Sequence, residues 1–186
     1  MKKMIILGAV LALGTFAKAE KFEIDPGHAS VVFKVNHLGF SNVYCMFGDV
    51  SGELNLDDKG DKNSMMITMK TASITTLNTK RDEHLMKPDF FDAKSNPTIT
   101  FKSTSMKKTG DKYAVRGELT MHGKTKPTDF TLTRFRTGND PWGKVRTGGE
   151  ATIKLKRSDF GMNFMQGPNA VGDDIEIMVS AEGIKQ

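Results

Sequence analysis

Cysteine is almost absent from this sequence, in which Cys45 is the only one among 186 residues. One cysteine cannot form an internal disulfide, and no second cysteine is present to share a zinc site. The fold must therefore be held together by packing and hydrogen bonds alone.

Long apolar runs are equally scarce, and the only one lies near the N-terminus at 4–16. Two lysines precede this run and a small-x-small sequence at 17–19 follows it, which is typical of a Sec-type signal peptide over 1–19 with cleavage after Ala19. The run is too short for a spanning helix and no later stretch approaches the needed length, so we expect no stable membrane insertion. We predict a periplasmic protein whose mature chain is a single domain over 20–186.

A large excess of one charge is also missing once the signal peptide is removed. Its three lysines leave with it, so the mature chain has 24 basic and 22 acidic side chains, a net charge of +2 where the whole sequence has +5. The basic residues are spread along strand-like segments among Thr and Ser, whereas nucleic-acid binding needs a clustered basic surface. We therefore expect no nucleic-acid partner.

Most of the mature chain alternates between apolar and polar residues, as half-buried β-strands do. Val31, Phe33 and Val35 share one strand face with His37, which we expect to point inward. With turn sequences between them, about eight or nine antiparallel strands are predicted, at 21–25, 28–37, 43–56, 64–72, 98–107, 113–122, 126–136, 145–157 and 174–185. Closing such a sheet removes its edges, so we predict an all-β, up-and-down barrel of about eight strands that can hold one small ligand. A β-sandwich is the alternative, because periodicity does not distinguish a closed sheet from two packed ones.

The stretch 79–101 is the one place where the pattern becomes helical. Thr79 followed by Asp82 predicts an N-cap with an acidic partner, and Leu77 is expected to share a helix face with Arg81 and Leu85.

The predicted helix is short and has an aromatic pair at its exit. Pro88 disfavours helix at the residue before it, so the helix should end there, and Phe90 and Phe91 follow. This segment is predicted to cover the β structure as a plug or lid.

No residue spacing in the sequence matches a metal or nucleophile motif. The four histidines lack the H-E-x-x-H pairing of a zinc site, so we predict no metal site and no cofactor. Asp82, Glu83 and Asp159 are carboxylates of the kind used in acid–base catalysis, but no nucleophile motif accompanies them. We therefore predict no catalytic residues.

Six segments carry a resemblance that covers essentially all of the mature chain. In order they are D-P-G-H-A-S-V-V-F-K-V-N-H-L-G-F-S (25–41), R-D-E-H-L-M-K-P-D-F-F-D (81–92), N-P-T-I-T-F (96–101), G-E-L-T-M-H-G-K-T-K-P (117–127), D-P-W-G (140–143) and R-S-D-F-G-M (157–162). In this order they resemble the YceI family of exported, lipocalin-like, polyisoprenoid-binding proteins.

The resemblance implies an extended eight-stranded antiparallel β-barrel with a short α-helix near its mouth. It implies that the barrel encloses a long-chain amphiphilic lipid, such as a polyisoprenoid, an isoprenoid quinone or a fatty acyl derivative, and that the protein has no established catalytic activity. The residues that match the family motifs and are assigned here to ligand binding are Phe33, His37, Arg81, His84, Phe90, Phe91, Asp159 and Phe160.

Within this set, the aromatic residues are expected to form the cavity wall. Arg81 and His84 would meet a polar or phosphate head group, because arginine presents a planar set of donors to anionic oxygens. Alternatively, Arg81 pairs with Asp82 or Asp159 and only locks the helix onto the barrel.

One position departs from similar sequences, which carry glycine after the tyrosine of Tyr44-Cys45-Met46. The larger Cys45 side chain would either narrow the cavity or face solvent as a lone thiol. In the second case an intermolecular disulfide could form.

We therefore interpret the protein as a periplasmic carrier or store of a long-chain lipid, with a homodimer formed edge to edge as a further expectation. The alternative is an enzyme acting on such a lipid through the cluster Arg81, Asp82, His84 and Asp159. A third interpretation is a stress-linked or structural protein with a solid barrel.

Overall fold

The computed structural model describes residues 19–57 and 62–186. The predicted signal peptide therefore lies outside the described residues, apart from Ala19. Within the described ranges, no helix combines the length and the apolar character needed to cross a membrane.

The described residues form one antiparallel sheet of ten strand segments. The segments are β1 (Glu20–His37), β2 (Ser41–Phe47), β3 (Val50–Leu56), β4 (Ser64–Lys70), β5 (Ile74–Thr75), β6 (Thr98–Thr109), β7 (Lys112–Met121), β8 (Lys124–Asn139), β9 (Val145–Lys156) and β10 (Val171–Lys185). β2 and β3 both pair with β1, along Val31–His37 and Glu20–Glu23 respectively, so they act as one bent strand. β5 is a two-residue addition at the end of β2. The barrel wall therefore has eight strands.

Pairing between the first and last strands closes the sheet into a ring. β1 pairs with β10 from Phe22 opposite Lys185 to His37 opposite Val171. The remaining neighbours follow the order β10, β9, β8, β7, β6, β4, β3 and back to β1. This closure confirms the predicted eight-stranded antiparallel barrel over the sandwich.

The bend between β2 and β3 lies where glycine interrupts the predicted long strand at 43–56. The break falls at Gly48 and Asp49. Gly52 in β3 has a φ of 155°, and a Cβ there would lie 2.2 Å from the Met66 carbonyl oxygen. Only glycine tolerates so close a backbone approach at this φ.

Alternation places the core inside the ring. In β7, Tyr113, Val115, Leu119 and Met121 are buried, whereas most of the residues between them are exposed. Gly117 is also buried, and a Cβ there would lie 2.4 Å from the ring of Phe101, so the missing side chain makes room for that ring.

The helix is present, but its start differs from the prediction. α1 spans Thr79–Leu85, and its N-cap is Asn78, whose side chain accepts a hydrogen bond from the backbone N–H of Arg81 at 3.1 Å. Thr79 is the first helical residue, so its assignment as N-cap was wrong. Leu77 does not share the helix face, because it precedes the helix with a φ of 61° and is 97% exposed.

The end of α1 agrees with the effect expected of Pro88. The last helical residue is Leu85 and the C-cap is Met86. Proline disfavours the helical conformation at the residue before it, here Lys87, and the helix ends two residues before that residue.

Residues 71–97 fill the gap that opens between β2 and β6. Phe91 is the anchor of this segment, since its ring lies 6.0 Å from that of Phe33 and 5.7 Å from that of Phe47. The Thr71 hydroxyl donates to the Asn96 carbonyl at 2.6 Å and ties the two ends of the segment together. We call the barrel end beside α1 the helix end, and the opposite end, where residues 140–144 join β8 to β9, the turn end.

Candidate functional site

A cavity of about 490 Å³ runs through the barrel and is lined mainly by apolar side chains. Small-molecule sites commonly have volumes of about 300–1,000 Å³. On β10 the lining residues are Val171, Ile175, Ile177, Val179, Ala181 and Gly183. The interior is therefore not filled by side chains from end to end.

The length of this cavity follows from the strand geometry. The lining stripe of β10 runs from Val171 to Gly183, which is about 40 Å of strand at roughly 3.4 Å per residue. Strands in barrels tilt by about 35–45° from the axis, so the cavity extends roughly 30 Å along the barrel. The cavity is thus a long apolar tunnel.

Six of the eight predicted site residues line this cavity, and two do not. The six are Phe33, His37, Arg81, His84, Phe90 and Phe91. Asp159 is exposed in a short 3₁₀ helix at Arg157–Phe160, and it does not line the cavity. Phe160 is 1% exposed and packs in the core outside the lining, while its carbonyl accepts a hydrogen bond from Nδ1 of His122 at 2.9 Å. Contact of the six with a ligand stays a prediction.

Arg81 is held by the residues that precede its helix. Its Nε donates to the Thr76 hydroxyl at 2.8 Å, and its Nη2 donates to the Thr76 carbonyl at 3.1 Å. Asp82 accepts from the backbone N–H and the hydroxyl of the same Thr76, at 2.8 and 2.6 Å. These hydrogen bonds, led by that of the Thr76 hydroxyl, lower the pKa of Asp82.

These contacts correct the predicted pairing of Arg81. Among the described residues its side chain bonds to Thr76, and no ion pair joins it to Asp82 or Asp159. Thr76 therefore connects Arg81 and Asp82 and fixes the start of α1.

His84 belongs to an aromatic cluster across the helix end. Its ring lies 5.1 Å from that of Phe90 and 5.2 Å from that of Phe164, and the two phenylalanine rings are 5.3 Å apart. Nε2 of His84 lies 3.4 Å from a carboxylate oxygen of Asp89. The cluster joins the helix segment to the 161–170 loop, and sequence reasoning missed Phe164 because it lies in an irregular stretch.

A buried arginine at the same end was also missed, although it opens the R-S-D-F-G-M motif. Arg157 is 4% exposed and lines the cavity. Its guanidinium donates to the carbonyls of Met162 at 2.7 Å, Val171 at 2.8 Å, Gly172 at 2.9 Å and Met165 at 3.4 Å. Burial lowers the pKa of Arg157. With its donors directed at backbone carbonyls, Arg157 fixes the loop that borders the helix end.

Cys45 faces the cavity, which agrees with the first of the two predicted alternatives and excludes the solvent-facing thiol. The residue is 3% exposed and lies opposite Phe33 in the ladder between β1 and β2. Burial raises the pKa of the Cys45 thiol to about 12. A thiol in this position cannot form the intermolecular disulfide without opening the barrel.

Outside the barrel, one group of possible metal donors is already occupied by an arginine. Ligand atoms of Asp25, His28 and Glu182 lie within 4.8 Å of one another. Nη1 of Arg146 donates to Asp25 at 2.5 Å and to Glu182 at 3.1 Å, and its Nε donates to Asp140 at 2.7 Å. The arginine supplies the positive charge that a cation would bring to these carboxylates.

Comparison with known proteins gives matches over nearly the whole chain. The family model of the YceI-like domain matches residues 22–183. A UPF0312 protein of Pseudomonas putida is 42% identical over 188 residues, which cover 96% of this chain and 96% of that protein.

Solved structures share the fold. A YCEI protein of Campylobacter jejuni aligns with a TM-score of 0.73 and 28% identity, covering 100% of this chain and 99% of its own. A polyisoprenoid binding domain from Saccharophagus degradans aligns with a TM-score of 0.68 over 89% of this chain and 98% of its own. Its sequence identity is 12%, so that likeness concerns the fold alone.

Proposed function

The chain belongs to the YceI family, and on this premise we propose that it binds one long-chain amphiphilic lipid inside the barrel and carries or stores it. The observation that carries the proposal is the apolar tunnel, which is lined by the aromatic rings of Phe33, Phe47 and Phe91 near the helix end and by β10 as far as Gly183 towards the turn end. The Saccharophagus degradans domain, which has the same fold, binds polyisoprenoid, and that supports a ligand of this class.

The length of the tunnel favours a polyisoprenoid or an isoprenoid quinone over a single fatty acyl chain. The tunnel is roughly 30 Å long at the rise and tilt of barrel strands. The hydrocarbon core of a bilayer has about the same thickness and is filled by two opposed acyl leaflets. One acyl chain of ordinary length would therefore occupy only about half of the tunnel.

Burial of the tail supplies the affinity. A chain that loses roughly 600 Å² of apolar surface gains on the order of 15 kcal/mol at about 25 cal/mol per Å². Ordering a flexible chain offsets much of this gain. The tail then contributes tight but unselective binding, and a head group contributes selectivity.

Binding accounts for the polar residues better than catalysis does. Asp82 is engaged with Thr76, and Asp159 lies outside the cavity lining. The four residues of the alternative enzyme site therefore do not converge on one reacting position among the described residues. We propose a binding protein without catalytic activity.

Extraction of purified protein with organic solvent, followed by mass spectrometry, tests the proposal. Ala151 lines the cavity and Thr152 beside it is exposed, so A151W fills the tunnel whereas T152W adds the same ring outside. We expect long-chain lipid from the wild type and T152W and much less from A151W. Repeated absence of such a lipid from the wild type would contradict the proposal.

We further propose that the protein works in the periplasm, after export and removal of residues 1–19. This location is supported by the two N-terminal lysines, the apolar run at 4–16 and the small-x-small sequence at 17–19. Release by osmotic shock with an N-terminus at Glu20 is expected, and a cytoplasmic protein that retains Met1 would overturn it.

The homodimer is likewise a proposal. Closure of the sheet leaves the outer edge of β2 between Ser41 and Cys45 as an edge without a strand partner among the described residues. Pairing of two copies along this edge would double the mass measured by light scattering, and a monomer at micromolar concentration would exclude it.

A further inference from the structure

One inward position near the turn end carries a cation instead of an apolar residue. The cavity-lining residues of β8 are Thr128, Phe130, Leu132 and Arg134, which continue one alternating stripe. Arg134 is partly buried, and a register shift of β8 follows it directly. Its inward direction is therefore set by the strand and not by a mobile loop.

The neighbours of Arg134 in the sheet leave space around it. Four residues on neighbouring strands form one row across the sheet. Arg134 of β8 pairs with Gly149 of β9, Gly149 pairs with Ala181 of β10, and Ala181 pairs with Ala29 of β1. All of these residues line the cavity. A long cationic side chain thus shares one level of the tunnel with three of the smallest side chains.

Arg134 differs from the other cavity-lining arginines in how its donors are used. Arg157 directs its donors at backbone carbonyls, and Arg81 bonds twice to Thr76. For Arg134 the one side-chain hydrogen bond within the described residues joins Nη1 to the Tyr113 hydroxyl at 3.3 Å, and no carboxylate pairs with it there. A partly desolvated guanidinium without a counter-charge is costly, and an anionic oxygen would remove that cost.

This position is separate from the predicted head-group residue Arg81. Arg81 interacts electrostatically with the Cys45 thiol, and Cys45 lies on the row of Phe33 and Ile177. The row that contains Arg134 meets β10 at Ala181, four residues from Ile177, or about 14 Å of strand. One amphiphile can therefore place its head at only one of the two ends.

We propose that Arg134 and the Tyr113 hydroxyl form an anion-binding subsite at the turn end, which holds the phosphate or carboxylate head of the bound lipid. The inference rests on the proposed lipid-binding function and adds its head-group class and its orientation. The head lies beside Arg134, and the tail extends through the tunnel towards Phe33 and Phe91.

The experiment compares two probes with the same tail, octaprenyl monophosphate and octaprenol, for binding to delipidated protein. We expect the wild type to bind the phosphate at least about tenfold more tightly, since hydrogen bonds to charged groups are strong. R134Q should lose this preference while its affinity for octaprenol stays within about twofold, and R134K should keep part of it. R81Q tests the helix end, and R116Q removes an exposed arginine of β7 as the matched control.

The outcomes separate the subsite from the lipid-binding proposal. Loss of the preference in R134Q alone supports the subsite. Loss in R81Q but not in R134Q places the head at the helix end and overturns the subsite, while lipid binding stands. An equal weakening of both probes by R134Q shows a structural arginine and also overturns it. Failure of both probes to bind the wild type overturns lipid binding and the subsite with it.

Discussion

At the scale of single residues, a buried arginine holds the loop beside the helix end of the tunnel. Arg157 is buried and directs its guanidinium at backbone carbonyls of the loop beside the helix end. Charged hydrogen bonds of this kind are stronger than neutral ones, and losing one partner leaves buried acceptors without a donor.

Replacing Arg157 with methionine should therefore destabilise the protein by about 3 kcal/mol, because several buried carbonyls lose their donor. R157K keeps the charge but presents fewer donors, so we expect an intermediate loss. The free energy of unfolding in urea measures both. R116M, at an arginine whose side chain is 74% exposed, is the control and should change stability little. A loss below about 1 kcal/mol for R157M would contradict this view of the loop.

Cys45 should be chemically inert in the folded protein. Its thiol faces the cavity and burial raises its pKa to about 12, so almost no thiolate is present at pH 8. We expect no reaction with a thiol reagent at pH 8 until the protein is unfolded. S180C places a thiol on the exposed face of β10 and should react at once. Rapid labelling of Cys45 without urea would mean that the barrel wall opens.

At the scale of elements, an ion-pair cluster on the outer surface joins three parts of the barrel at the turn end. Arg146 in β9 reaches Asp25 in the bulge of β1, Asp140 in the turn between β8 and β9, and Glu182 in β10. The Asp140 carboxylate also accepts from the backbone N–H groups of Trp142 and Lys144, each at 2.9 Å. The first aspartates of the D-P-G-H and D-P-W-G motifs thus both bind Arg146, and these two motifs have a structural role.

This cluster predicts a pH-dependent stability. The Arg146 hydrogen bond, followed by that of His28, lowers the pKa of Asp25 to about 2. Its ordinary unfolded value is about 3.9, so the carboxylate contributes about 2 kcal/mol above that pH and loses this contribution as pH falls towards 2. D25N should therefore be about 2 kcal/mol less stable than the wild type at pH 7, and most of this difference should be lost by pH 2. D129N, in an exposed pair with Arg116, should differ little at either pH. A constant difference across this pH range would contradict the prediction.

At the scale of the whole molecule, the interior of the barrel contains a tunnel and is not a fully packed core. Apolar side chains of all eight wall strands face the interior, but a cavity of about 490 Å³ remains between them. The side chains that line a cavity of this kind lack packing contacts on one side, and a bound ligand would supply those contacts. If the protein binds a lipid as proposed, the empty barrel is expected to be less stable than the loaded one.

Loading should stabilise the protein as a whole. Octaprenyl monophosphate at about 100 times its Kd is expected to add about 2.7 kcal/mol, which raises Tm by roughly 5–10 °C in a domain of this size. Differential scanning calorimetry of delipidated and loaded protein measures this shift. T152W should show the same rise, and A151W should show much less. An unchanged Tm for the loaded wild type would contradict binding inside the barrel.

Periodicity predicted most of the strands but not the details of the helix start. The strand predicted at 145–157 is observed as Val145–Lys156, and that at 113–122 as Lys112–Met121. The N-cap was misplaced by one residue because Asn78 and Thr79 are both suitable cap residues. The structure distinguishes them, because the side chain of Asn78 accepts the hydrogen bond from the backbone N–H of Arg81 while Thr79 is already helical.

The amino-acid sequence by itself determined which residues face the two sides of the sheet, because a strand alternates with a period of two whatever its partners are. It also carried the family resemblance. Only the tertiary structure decided that the sheet closes, that Cys45 faces the tunnel and that Arg134 lacks a carboxylate partner within the described residues. The reason is that closure and side-chain pairing join residues far apart in the chain, as Arg146 and Asp25 are at a separation of 121 residues. No local pattern encodes such a contact.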